Sequence, residues 1–257
     1  MAKKKNLTKA DLQDVSIYEA STQKTTNGRS TKTSLSDIPI KINCLTEKQK
    51  DLKKAIETTD IIVSSGPAGT GKTYLALLVA LNLLKNNPMQ YQRIVLVKSL
   101  VTIKGEEVGF LPGTLWEKLE PFMYSFTGNL DKIFKSAYTT KIFRENGIIE
   151  FQPIAYVRGV TIDNAIVIID ETQNMNMHTF KSLITRIGYN SKFIFLGDTD
   201  QIDMHNPKQS CLKRVVAGFA QKEICSGIHF TNEDIVRNPL IGKILDIIKE
   251  IETTPID

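Results

Sequence analysis

The sequence has few of the residues that would indicate a disulfide framework, a metal centre or a membrane span. Its three cysteines, Cys44, Cys211 and Cys225, are far apart and never in C-x-x-C spacing, so we expect reduced thiols in a cytoplasmic protein. Three scattered histidines give no zinc-binding pattern. No apolar run approaches the ~20 residues of a membrane-spanning helix, and no signal-peptide core follows the basic N-terminus. Membrane association is therefore not predicted.

The net charge of +5 is concentrated at the N-terminus. Residues 1–41 hold eight Lys or Arg and four Asp or Glu, so the other 25 basic and 24 acidic residues nearly balance. This range is rich in Thr, Ser and Lys and lacks a sustained apolar period. It predicts a disordered or loosely attached arm over 1–41, followed by one domain over 42–257. The net charge says little about what that domain binds.

Apolar runs alternate with helical patterns from Ile42 onward, and several of the runs are apolar nearly throughout. Continuous apolar runs are typical of parallel strands covered by helices on both faces. We therefore predict a three-layer α/β fold with a mainly parallel sheet, in which the loops that follow the strands share one edge. The predicted strands are Ile61–Val63, Arg93–Lys98, Ile148–Tyr156, Ala165–Ile169, Lys192–Leu196 and Gly227–Phe230, and the predicted helices are 72–86, 114–127, 176–188 and 239–251.

The segment SSGPAGTGKTY, residues 64–74, has the pattern G-x-x-x-x-G-K-T between a strand-like and a helix-like run. Glycines allow a tight turn that aims backbone N–H groups at phosphate oxygens, and the next helix adds its positive end. Lys72 can reach the β- and γ-phosphates, and the Thr73 hydroxyl can hold Mg²⁺. A chance match in a glycine-rich turn is the alternative. The predicted nucleotide-binding residues are Gly66, Pro67, Ala68, Gly69, Thr70, Gly71, Lys72, Thr73 and Tyr74.

Two further polar segments end buried strands. Asp170 and Glu171 follow Ile168–Ile169, where adjacent carboxylates are costly to bury without a cation or hydrogen bonds. In a phosphoryl-transfer site Asp170 would lie beside Mg²⁺, and Glu171 would act as the base for the attacking water. An exposed acidic turn is the alternative. Gln201, in GDTDQ after the next strand, could sense the γ-phosphate or the water, unless the segment is only a polar turn.

With these three elements in order, the sequence resembles the PhoH-like ATPases, whose core is similar to the first RecA-like domain of superfamily 1 helicases. The resemblance runs from roughly Leu45 to Ile251. Two departures are Lys98-Ser99, where the family usually has Arg-Pro, and Val160, where it has a basic residue. The motifs that carry the resemblance are GPAGTGKTY, Val108–Gly113 with Glu117-Lys118, Pro153–Gly159, Ile169–Asn174, Gly197–Gln201 and Asp234–Pro239.

The resemblance also implies roles for Gln49 and Arg237. Related helicases place a glutamine that reads adenine where Gln49 precedes the first strand; a solvated glutamine at a helix start is the alternative. Arg237 resembles an arginine finger, although it could instead form a surface salt bridge to Asp234 or Glu233. Too few residues follow Phe230 for a second lobe. We therefore expect a head-to-tail ring, most simply a hexamer, with Arg237 acting in trans; a monomer with Arg237 acting in cis is the alternative.

The resemblance implies an ATPase that uses Mg²⁺ and acts on RNA or single-stranded nucleic acid. Lys98, Thr102, Lys104 and Phe110 follow a strand where related motors touch nucleic acid, and Tyr156 and Arg158 could stack on bases or contact phosphate. Core packing and solvated charge are the alternatives for these side chains. A nucleotide-switched module that assembles protein partners is the competing function, and a small-molecule kinase is a more distant one. No intrinsic nuclease activity is predicted.

Overall fold

A computed structural model describes residues 34–99, 115–220 and 222–237, with only the backbone of 115–119, and then residues 240, 243, 244, 247, 248, 250 and 251. The predictions for Thr102, Lys104, Phe110, the motif 108–113 and positions 1–33 of the arm lie outside this range, as do the side chains of Glu117 and Lys118. Residues 34–41 lie within the predicted arm. Leu35 is nevertheless buried, and Ile38 and Ile40 pack against the apolar core.

The sheet has six parallel strands in the order β3-β2-β4-β5-β1-β6, which confirms the predicted α/β class. Long crossovers separate strands that are consecutive in the chain, as parallel pairing requires. The strands are β1 (Ile61–Ser65), β2 (Arg93–Lys98), β3 (Ile149–Pro153), β4 (Ala165–Asp170), β5 (Lys192–Gly197) and β6 (Cys225–His229).

Seven α-helices lie in the part of the chain with continuous description. No helix among the described residues is both long and apolar enough to cross a membrane. The helices are α1 (Glu47–Thr58), α2 (Lys72–Asn86), α3 (Leu115–Phe134), α4 (Ala137–Glu145), α5 (Ile154–Val157), α6 (Met177–Ile184) and α7 (Leu212–Phe219).

The core lies on both faces of the sheet because successive strand residues alternate between two apolar clusters. In β4, Ile166 and Ile168 join the cluster beneath α1, α2 and α3, whereas Val167 and Ile169 join the cluster beneath α6 and α7. The same alternation occurs along β2 and β5. Both faces are therefore covered, which explains why the interior positions of these strands are apolar.

Some element boundaries differ from the sequence predictions. The strand predicted over Ile148–Tyr156 ends at Pro153, which has no N–H to continue the ladder and precedes the short helix α5. The helix predicted over 176–188 ends at Ile184, and Ile187 then forms a bridge with Ile162. In the helix predicted over 239–251, the described residues are helical. Helices α1, α4, α5 and α7 were not among the predicted helices, and α3 extends to Phe134 rather than 127.

The strand order determines where the polar segments meet. β5 lies between β1 and β4, so the carboxyl ends of these three strands are neighbours at one edge of the sheet. The loop after β1, the acidic pair at the end of β4 and the GDTDQ segment after β5 therefore converge there. Ligands of open α/β sheets bind at this edge.

Candidate nucleotide-binding site

The loop between β1 and α2 has the backbone of a phosphate-binding loop. Gly66 has φ +145°, and a Cβ there would lie 2.5 Å from the Cβ of Phe230, so no larger residue fits. Gly71 adopts φ +80° immediately before α2 begins at Lys72. The loop thus ends at the N-terminus of a fifteen-residue helix, where free N–H groups favour an anion.

The side chain of Lys72 lies inside this loop. Its Nζ donates to the carbonyl oxygens of Gly66 at 2.7 Å and Pro67 at 2.9 Å, and to the Thr70 hydroxyl at 3.1 Å. Burial lowers the pKa of Lys72, while Asp198, Asp170 and Glu171 oppose that shift. The hydrogen-bond acceptors of the ammonium are thus neutral oxygens, and phosphate oxygens are stronger partners for it.

Thr73 and Asp170 bring α2 and β4 together. The Thr73 hydroxyl donates to Asp170 Oδ2 at 3.2 Å. Burial, and then the charge of Glu171, raise the pKa of Asp170 to about 6. The charge of Lys98 and the hydrogen bond from Thr73 oppose this shift. The hydroxyl and the carboxylate are hard oxygen ligands of the kind that suits Mg²⁺.

Other groups would have to complete such a metal site. No cluster of three or more His, Cys, Asp or Glu side chains with metal-binding geometry occurs in the described part of the chain. This fits Mg²⁺ held by one or two protein oxygens together with substrate phosphates and water, rather than by a protein cage.

Glu171 has both carboxylate oxygens in contact with other side chains. Its backbone is left-handed, at φ +57°, which is uncommon for a residue with a side chain. Its Oε1 lies 3.5 Å from Lys98 Nζ, and its Oε2 accepts a hydrogen bond of 2.6 Å from Gln173 Nε2. Glu171 is only partly buried, so water can reach it.

Gln173 is a site residue to which sequence reasoning gave no role of its own. It is fully buried, and its amide joins two loops: Nε2 donates to Glu171, and Oε1 accepts from the Asp198 N–H at 3.0 Å. A Cβ on Gly197 would lie 2.7 Å from Gln173 Oε1, so glycine makes room for this bridge. A glutamine two residues after Glu171 was the sequence signal that could have identified it.

A cavity of about 340 Å³ encloses these groups. Gln201 is exposed and lines the cavity, as Glu171 does. Asp198 also lines it: its carboxylate accepts a hydrogen bond of 3.0 Å from the Asp200 N–H, and burial raises the pKa of Asp198. Tyr124 and Lys132 of α3 also line it and were not predicted. The predicted site residues that line this cavity are Ala68, Gly69, Gly71, Lys72, Thr73, Tyr74, Asp170, Glu171, Gln201 and Arg237.

A second cavity, of about 780 Å³, lies at the ends of β1 and β6. Gly66 and Pro67 border it, and it holds a contact of 2.8 Å between Ser65 Oγ and His229 Nδ1. Neither Lys72 nor the acidic pair lines it. The groups with phosphoryl-transfer chemistry therefore belong to the smaller cavity.

Gln49 is buried beneath the phosphate loop rather than solvated. Its Nε2 donates to the Thr70 carbonyl at 2.9 Å, and its Oε1 accepts from the Leu45 N–H at 2.7 Å. Both ends of the amide are thus bound to backbone groups. Gln49 therefore supports the loop, and its predicted contact with adenine stays a prediction.

Arg237 lies over the phosphate loop of its own chain. The Val236 N–H donates to the Gly69 carbonyl at 3.0 Å, and a Cβ on Gly69 would lie 3.6 Å from the Cβ of Arg237. Asp234 accepts from the Thr231 N–H at 3.0 Å. Among the described residues, Arg237 forms no ion pair with Asp234 or Glu233 within 4.0 Å.

The phosphate loop, the Thr73–Asp170 pair and the parallel sheet define a P-loop nucleotide-binding protein. The chain belongs to the PhoH-like protein family, whose model matches residues 41–249. It is 37% identical over 238 residues to a PhoH-like protein of Bacillus subtilis, covering 90% of this chain and 68% of that protein. It is 33% identical to Protein PhoH of Escherichia coli, covering 77% of this chain and 56% of that protein.

The chain spans between about half and two thirds of the length of these relatives. A solved structure with a similar fold is the large terminase of a thermophilic bacteriophage. It has a TM-score of 0.44 and 14% identity, over 77% of this chain and 49% of that one. This similarity is too low to add to the family assignment.

Proposed function

We propose that the protein hydrolyses ATP with Mg²⁺ and couples the hydrolysis to binding or remodelling of RNA or other single-stranded nucleic acid. The observation that carries the proposal is the 3.2 Å contact between Thr73 and Asp170, with Glu171 next in the chain. It brings together a hydroxyl from the phosphate loop, an acid whose pKa is raised by burial and a partly exposed second acid. Mg²⁺-dependent phosphoryl transfer to water uses these groups.

Each side chain then has a defined task. Lys72 would exchange its bonds to the Gly66 and Pro67 carbonyls for bonds to the β- and γ-phosphates, and Thr73 and Asp170 would hold Mg²⁺. Bound Mg²⁺ would neutralise the phosphate charge as the terminal phosphoryl group departs. Glu171 accepts a proton from the attacking water, and Gln201 orients that water.

The nucleic-acid part of the proposal is supported by the surface beside this site. Lys98, the last residue of β2, is opposite Pro153, the last residue of β3, and α5 follows directly. Tyr156 is 54% exposed, and Arg158 is also exposed. Cations next to an exposed aromatic ring suit a single strand, whose phosphates and bases they can bind. The competing function is a nucleotide switch that acts on protein partners.

Steady-state ATP hydrolysis, measured with and without single-stranded oligonucleotides at low salt, tests the proposal. We expect Mg²⁺-dependent turnover that single-stranded RNA or DNA stimulates, and strand binding that weakens as salt rises. Lys72→Ala serves as the control for contaminating ATPases. Turnover without stimulation, and without strand binding even at low salt, would favour the protein-partner alternative.

A ring of chains with Arg237 acting in trans is a separate proposal. The position of Arg237 over Gly69 of its own chain instead favours the alternative of action in cis. An arginine that stabilises transferring phosphate is worth ~10³–10⁵ in rate in GTPases, so either arrangement predicts a large effect of its removal. Mixing the inactive variants Arg237→Ala and Lys72→Ala distinguishes action in trans from action in cis.

A further inference from the structure

We propose that Lys98 restrains Glu171 in the strand-free protein, and that a single strand of nucleic acid relieves the restraint by drawing Lys98 to its phosphates. Lys98 is thus a positioning residue that links strand binding to the rate of hydrolysis. This inference rests on the proposed ATPase function.

The restraint is visible in the contacts of Glu171. Lys98 Nζ lies 3.5 Å from Oε1, and Gln173 Nε2 donates to Oε2 at 2.6 Å, so the carboxylate is held from two sides. The left-handed backbone of Glu171 further limits where its side chain can point. A carboxylate held in this way is kept from turning toward a water molecule that attacks the nucleotide, because both of its oxygens already have partners.

The strand order shows from which side Lys98 approaches. Lys98 is opposite Asp170 in the β2–β4 register, and β2 lies on the side of β4 that faces away from β5 and β1. The phosphate loop follows β1. Lys98 therefore reaches Glu171 from a strand that is not next to the phosphate loop, and its Nζ also donates to the Ser125 hydroxyl of α3 at 3.5 Å. We place the ligand that competes for Lys98 outside the phosphate loop.

The surroundings of Lys98 indicate the kind of ligand. Its side chain is 17% exposed, and the exposed Tyr156 and Arg158 lie on α5 and at its end, directly after the neighbouring strand β3. Arg158 donates to the Thr179 hydroxyl of α6 at 2.6 Å, which holds its guanidinium against that helix. Two cations and an aromatic ring along one edge fit successive phosphates and a base of a single strand.

The Lys98–Glu171 pair is weak enough to be exchanged. A partly exposed ion pair is worth up to ~1 kcal/mol, which corresponds to about a fivefold change in an equilibrium. Binding of Lys98 to a strand phosphate can therefore shift Glu171 toward its free, active position. We expect the restraint to lower the basal rate by about two- to fivefold.

The test compares Lys98→Met, which keeps the apolar stem, with Lys98→Arg, which keeps the charge. We expect Lys98→Met to raise the strand-free kcat about two- to fivefold at an unchanged KM for ATP, and to reduce the further stimulation by a single-stranded oligonucleotide. Lys98→Arg should stay below Lys98→Met in strand-free kcat. Lys53→Met, which removes the surface ion pair with Glu57, is the matched control and should leave the rate unchanged.

Several outcomes would overturn the inference. If Lys98→Met had a strand-free kcat equal to or below that of wild type, Lys98 would not restrain Glu171. If KM and kcat changed together, Lys98 would act on nucleotide binding. Failure of the proposed function looks different: wild type would then show no turnover, or no stimulation by a strand. A raised strand-free rate in Lys98→Met without stimulation of wild type would retain the restraint and refute the strand as its release.

Discussion

Asp170→Asn should stabilise the nucleotide-free, Mg²⁺-free protein while it abolishes activity. Burial and the neighbouring Glu171 raise the pKa of Asp170 from 3.8 to about 6. A shift of about two pKa units corresponds to roughly 3 kcal/mol at 1.36 kcal/mol per unit. Asparagine has nearly the same shape but no charge, so we expect the free energy of unfolding to rise by roughly 2–3 kcal/mol at pH 8.

The sign of the pH dependence follows from the raised pKa. In wild type, the folded state binds the proton of Asp170 more tightly than the unfolded state does, so stability falls as pH rises between about 4 and about 6. Above about pH 6 the free-energy cost of burying the ionised Asp170 carboxylate no longer changes with pH. The free energy of unfolding of Asp170→Asn should therefore exceed that of wild type by the whole of this amount at pH 8. The excess should be about half as large at pH 5 and nearly absent below pH 4.

Urea unfolding in EDTA at these pH values measures the effect. The control is Asp51→Asn, which changes an exposed carboxylate on α1. We expect its free energy of unfolding to stay within about 0.5 kcal/mol of that of wild type. The reasoning is refuted if Asp170→Asn is no more stable than wild type at pH 8, or if the difference is the same at every pH. Added Mg²⁺ and ATP should stabilise wild type more than the variant.

Three further predictions concern other side chains of the site. Lys72→Ala should abolish ATP turnover and weaken ATP binding in equilibrium titrations, and wild-type-like hydrolysis would exclude the assigned role of the loop. Gln173→Leu leaves the buried Asp198 N–H without its hydrogen-bond partner. We therefore expect kcat to fall and the free energy of unfolding in urea to decrease by roughly 1–3 kcal/mol. Unchanged values of both would show that the bridge is dispensable. Arg237→Ala should be inactive. If Arg237 acts in cis, a mixture of Arg237→Ala and Lys72→Ala should also show no ATP hydrolysis, whereas regained hydrolysis would establish a site shared between chains.

The fold and much of the site could be predicted because the signals are local in the sequence. Strands β2, β4 and β5 are apolar at nearly every position, and each ends next to polar or glycine residues. These features predict buried parallel strands. Helix α7 was missed because its eight residues carry only a short apolar face, whose role depends on β6 beneath it. Pro153 ended β3 earlier than its apolar run suggested.

The sequence could not show how side chains from different strands meet. Lys98 and Glu171 are 73 positions apart, and only the β2–β4 register brings Lys98 beside the acidic pair. Gln173 could be seen to follow the acids, but its bond to the Asp198 N–H depends on β5 being the next strand. Gln49 looked like a solvated or adenine-reading residue, whereas its amide holds the Thr70 carbonyl.

The most direct test of the central claim is Glu171→Gln, measured for both Mg²⁺–ATP binding and turnover. Glutamine keeps the size of the side chain but cannot accept the proton of the attacking water. We predict that the variant binds Mg²⁺–ATP with an affinity near that of wild type and hydrolyses it slower by ~10²-fold or more. Turnover close to that of wild type, or binding and turnover lost in equal measure, would contradict the assignment of Glu171 as the base of an ATPase.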